Sequence, residues 1–139
     1  MAAFTKFQSF VEKLAEKTHN LGTDSLKVLL TNTAPSASAS NVKADLTEIS
    51  AGNGYTAGGT AASITSSSQT AGTYKLVLGD VLFTATGAIG PFRYVVLYND
   101  TATNKDLIGF YDYGSSVTMA SGDTFTVDFD PSTGVLTLT

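Results

Sequence analysis

The chain offers nucleophilic and metal chemistry one histidine, His19, and no cysteine. A side-chain nucleophile needs a base that a third group orients, and a zinc site needs several thiolate or imidazole ligands. Without cysteine there are no disulfides, no thiolate metal sites and no record of a redox compartment. His19 stands between Thr18 and Asn20 after an amphipathic run, and is read as closing a helix, where an imidazolium meets the negative end of the dipole. Gly52-Asn53-Gly54-Tyr55-Thr56-Ala57 matches G-x-G-x-x-G/A by letter. That motif holds a pyrophosphate only between a strand and a helix N-terminus, and Gly58-Gly59 is no helix start, so it is read as a loop. Asp123, Asp128 and Asp130 flank one predicted strand, and Asp100 and Asp106 bracket a polar loop. Calcium needs six to eight converging oxygens, and neither group has such a spacing. No catalytic, cofactor or metal residue is therefore assigned.

Contact chemistry is better represented. Tyr94, Tyr98, Tyr111 and Tyr113 fall in two neighbouring predicted strands around the Asn99 loop. Exposed tyrosines serve as contact residues for sugar or protein, and half-buried ones as cross-strand pairs. Asn53 and Tyr55 in the glycine-rich loop, with Tyr98 and Tyr111, are the candidate partner-contact residues.

The elements that must carry these residues follow from periodicity. Phe4, Phe7, Phe10, Val11, Leu14 and Leu21 recur at helical steps, with Glu12, Lys13, Glu16 and Lys17 opposite. This predicts an amphipathic helix over about residues 4–21, capped by Thr5 and closed by Gly22. The period then becomes that of strands. Leu26–Leu30 reads as a strand, Asn32–Asn41 as a loop with little to bury, Ser50–Gly59 as a flexible glycine-rich stretch, and 60–70 as an exposed strand or arm. Tyr74–Leu78, Val81–Thr86, Phe92–Tyr98 and Leu107–Tyr113 read as strands, the last two paired antiparallel. Val117–Met119 leads to Thr124–Phe129, where Phe125, Val127 and Phe129 alternate with Thr124, Thr126 and Asp128. Asp130–Gly134 reads as a hairpin loop before Val135–Leu138. The expected fold is mainly β: one domain over 1–139, an antiparallel sandwich, jelly-roll-like, over about 25–139 behind the single N-terminal helix.

Composition sets the outer limits. The 139 residues suffice for a hydrophobic core, and 42% hydrophobic residues exclude a disordered chain. A net charge of -4 with 8 Lys and Arg argues against a nucleic-acid surface. Charges at Lys6, Glu12, Lys13, Glu16 and Lys17 interrupt any secretory signal, and no apolar stretch is long enough to span a bilayer. Asn99-Asp100-Thr101 has the form of a glycosylation sequon and is read as a polar turn.

Four stretches taken in order carry a resemblance. They are AAFTKFQSFVEKLAEKTHNLGTDSLKVLLTNTAP, EISAGNGYTAGG, GPFRYVVLYND and FYDYGSSVTMASGDTFTVDFD. Together they resemble small virion proteins of tailed bacteriophages, and among these the head decoration or cement proteins. The resemblance implies a non-enzymatic β protein at the capsid surface, made in the bacterial cytoplasm and held in many copies on the major capsid protein. Copies of itself, as a dimer or trimer, are the second expected partner; no cofactor, nucleic acid or membrane is expected. A tail, baseplate or head–tail joining component, and a carbohydrate-binding sandwich for host attachment, are the alternatives.

Overall fold

The computed structural model describes residues 2–139. It is mainly β, with antiparallel sheets and one α-helix. The strands are β1 (Phe4–Lys6), β2 (Leu26–Thr31), β3 (Thr60–Ala62), β4 (Ile64–Thr70), β5 (Thr73–Leu78), β6 (Val81–Thr84), β7 (Ile89–Asn99), β8 (Leu107–Met119), β9 (Thr124–Val127) and β10 (Leu136–Leu138). The helix, α1, is Gln8–Ala15.

A five-stranded sheet in the order β1-β8-β7-β2-β3 forms the middle of the molecule. One face packs against two smaller sheets, β10-β5-β4 and β6-β9. Leu26, Val28 and Leu30 of β2, Val95 and Leu97 of β7, and Ile108 of β8 meet Leu76, Phe83, Val127 and Phe129 there. This arrangement is sandwich-like. The opposite face is also covered: Leu29, Val96, Tyr98, Leu107 and Phe7 form a second buried cluster, closed by Leu46 and Phe110. β2 therefore buries both its faces, as its unbroken Leu26–Leu30 run requires.

The N-terminal segment departs from its periodicity. Phe4–Lys6 is a strand on β8, with Phe4 opposite Tyr111 and Lys6 opposite Gly109, and the helix occupies only Gln8–Ala15. Phe7, extended, takes the N-cap position without a side-chain cap, so Thr5 does not cap. Lys17 adopts the left-handed conformation (φ 68°) just after the helix, well before Gly22. The cause is tertiary: the edge of β8 supplies backbone partners for residues 4–6, and Gly109 leaves bare backbone over which the Phe4 ring lies.

The polar segments are also more ordered than their composition suggests. Gln8 N–H donates to Ala37 O, Leu107 N–H to Asn41 O, and Lys43 N–H to Lys105 O, at 2.8, 3.0 and 3.0 Å. Within residues 32–59, Leu46 covers the second face of the middle sheet, whereas Ile49 and Tyr55 pack into the first cluster, and Thr31 and Glu48 form a bridge. Leu107–Tyr113 and Val117–Met119 are one strand, β8. Asp130–Gly134 is a turn but not a hairpin loop, since β10 pairs with β5 and not with β9.

Candidate functional site

His19 is not at a helix end. It lies beyond α1, 4% exposed, with its ring 5.1 Å from that of Phe10. Its partner is Asn99 at the end of β7, itself fully buried. Asn99 Oδ1 accepts from the N–H groups of Thr101 and Ala102 at 3.0 and 3.2 Å, which fixes the amide orientation. Asn99 Nδ2 then donates to Asp24 Oδ2 at 2.7 Å and to His19 Nδ1 at 3.0 Å. His19 must accept at Nδ1, so its proton sits on Nε2. Burial lowers its pKa below 6.5, against the opposing pull of Asp106 and Asp24. The sequon thus forms a turn, but its asparagine is the anchor that ties the α1–β2 connection to the middle sheet.

The glycine-rich loop is built as a brace. Tyr55 is 2% exposed; its hydroxyl accepts from Leu30 N–H at 3.1 Å and donates to Glu48 Oε2 at 3.0 Å. Glu48 also accepts from Gly58 N–H at 2.6 Å and pairs with Lys43 at 3.3 Å. Tyr98, 1% exposed, donates from its hydroxyl to Gly58 O at 2.6 Å. Burial raises the pKa of both phenols well beyond the ordinary tyrosine value, with Glu48 adding to the rise, so both remain protonated donors. Gly59 adopts φ 81° directly over β2, where a Cβ would overlap the Val28 carbonyl oxygen. Asn53, also left-handed (φ 57°), donates from Nδ2 to Ala88 O at 2.9 Å and is exposed. Of the candidate contact residues, Tyr55 and Tyr98 are therefore interior struts, not surface contacts. Nothing in the local sequence marks Glu48 as the acceptor for Tyr55, or the Gly58 carbonyl as that for Tyr98.

The four tyrosines of β7 and β8 do not form one platform. Tyr94 and Tyr98 lie on the face of the second cluster, with Tyr94 under the Arg93 guanidinium at 5.4 Å and against Phe110. Tyr111, half-buried, lies on the opposite face between Phe4 and Phe129 at 5.2 and 6.1 Å, and Tyr113, 56% exposed, packs on Phe125 at 5.6 Å. A shallow groove of about 280 Å³ runs between Tyr111 and Tyr113 on one side and Phe125–Asp128 on the other.

The carboxylates are dispersed. Asp100 meets Lys27 and Lys105 at 3.3 and 3.4 Å, and Asp106 is buried. Asp123 and Asp130 accept backbone N–H groups of their own turns. Among the described residues no cluster of three or more metal-ligating side chains occurs, and no helix is long and apolar enough to cross a membrane. No family model, curated protein or solved structure matches the chain.

Proposed function

We propose that this chain is a non-enzymatic structural protein of a tailed-phage virion, a decoration or cement protein that binds the major capsid protein and copies of itself at the capsid surface. The observation that carries this reading is the resemblance of four ordered stretches reaching from Ala2 to Asp130. The geometry is in keeping with it. His19, Tyr55, Tyr98 and Glu48 are spent as internal fastenings, while the surface offers strand edges, small polar side chains and the Tyr111–Tyr113 groove. Such a surface suits contact with neighbours more than it suits turnover.

Reconstruction of the purified virion by electron cryo-microscopy tests the reading. The expected result is density for this fold on the capsid exterior at every equivalent lattice position. Density confined to the tail or the joining vertex would instead make the chain a connector component, present in few copies.

A further inference from the structure

We propose that the free edge of β9 is a self-association site, at which a second copy pairs its own β9 antiparallel about a two-fold axis through Thr126. This deepens the self-association within the proposed function and rests on that part of it.

Among the described residues β9 pairs only with β6. Ala85 N–H donates to Asp123 O and Gly122 N–H to Ala85 O at the end of the ladder, so by alternation the pairs Phe83–Phe125 and Val81–Val127 exchange its bonds. By alternation, the N–H and C=O groups of Thr124, Thr126 and Asp128 point away from β6. The Tyr111–Tyr113 groove touches four consecutive residues, Phe125 to Asp128. Successive side chains of a strand face opposite ways, so a groove that meets all four runs along the strand's edge. Among the described residues no other strand occupies that edge, which is bordered by Ala2 and by Tyr113, the latter 56% exposed.

What identifies the occupant is that the edge is complementary to itself. With Thr126 opposite Thr126, Phe125 faces Val127 twice on the inner side, extending the apolar floor of the groove. On the outer side Thr124 faces Asp128 twice, each a hydroxyl donor opposite a carboxylate acceptor. The two aspartates lie at opposite ends of the paired segment, away from each other. Thr124, Thr126 and Asp128, which carry the outward backbone groups, are matched only with one another, as an antiparallel hydrogen-bonded register demands. An identical patch on both partners is what a closed dimer requires. The product is a continuous four-stranded sheet, β6-β9-β9-β6.

The lack of native cysteine makes the test clean. Residues paired across such an axis have Cα atoms about 5.5 Å apart, within disulfide range. Mild oxidation should convert Thr126→Cys largely to covalent dimer, whereas Ser68→Cys, on the free edge of β4, should stay monomeric at the same concentration. Sedimentation of the unmodified chain should show a concentration-dependent dimer, which Thr126→Pro weakens roughly tenfold or more by removing an outward N–H that β6 does not use. If Thr126→Pro fails to fold, Thr126→Lys replaces it, since Thr126 is exposed. Two lysines across the axis should disrupt the dimer at low salt and restore it in part at high salt. A strictly monomeric chain, equal cross-linking of Ser68→Cys, or a dimer insensitive to both Thr126 variants would overturn the proposal. A monomer seen on the capsid would overturn this pairing alone, and a β9-paired dimer absent from the capsid would overturn only the capsid reading.

Discussion

At the scale of the residue, Asn99 controls what His19 can do. Its Oδ1 is committed to two backbone N–H groups, so it can only donate to His19 Nδ1. A proton on that nitrogen would set donor against donor, and burial already disfavours the charge. The folded-state pKa is thus below the unfolded value of 6.5. The linkage has a definite sign: stability is full above 6.5 and falls as the pH drops from there toward the folded pKa, because the unfolded chain takes up the proton first. His19→Gln, which can accept through its amide oxygen, should remove that slope in urea titrations between about pH 7 and pH 5, with carboxylate effects below it unchanged. Tyr98→Phe removes the bond to Gly58 O and should cost about 1 kcal/mol in the same measurement. Gly59→Ala should cost more, about 2–4 kcal/mol, since a methyl group must displace the Val28 carbonyl at a left-handed position. Little of this was legible in the chain. His19 and Asn99 are far apart in sequence, and so are the pairs by which Tyr55 and Tyr98 fasten the loop, Tyr55 with Leu30 N–H on β2 and Tyr98 on β7 with Gly58 O.

At the scale of the element, legibility depends on who supplies the hydrogen bonds. The alternation in Thr124–Phe129 correctly gives its faces: Val127 and Phe129 are buried, Phe125 is half-buried, and Thr124, Thr126 and Asp128 are exposed. Val127→Asp should therefore abolish cooperative thermal unfolding, because the carboxylate would enter the core without a partner. The N-terminal stripe misleads for the opposite reason. Phe4, Phe7 and Phe10 fit a helical period, yet Phe4 serves β8 and Phe7 serves the second cluster. A helix satisfies its backbone locally, whereas β1 borrows partners from a strand that the local sequence does not reveal. Gly109→Ala would push the Phe4 ring off its seat. We expect a loss of about 1–3 kcal/mol and faster amide exchange at Phe4–Lys6, with the Leu26–Thr31 amides still protected.

At the scale of the whole molecule, the strand-rich, antiparallel character was readable from the strand period and the turns between strands, but the covering of both faces of the middle sheet was not. Residues 32–59 are rich in Ser, Thr, Ala and Gly, a composition that signals a mobile stretch. Leu46 nonetheless closes the second cluster, and Glu48 and Tyr55 tether the segment to β2. It follows that the second cluster is true core. Leu29→Ala, which empties a fully buried site there, should destabilise by about 2–5 kcal/mol, as much as a deletion in the sandwich interior. A loss near zero in denaturant unfolding would mean that the cover yields when its support is removed.

The pairing of β1 with β8 also sets the order of events during synthesis. Phe4–Lys6 is made well before its partners, Gly109–Tyr111, leave the ribosome. Until then the aromatic side chains of the first turns have no home, and the middle sheet lacks its edge. Such long-range closure slows folding and delays it until Gly109–Tyr111 are made. The nascent protein should therefore be most exposed to chaperones and proteases just before Gly109–Tyr111 emerge.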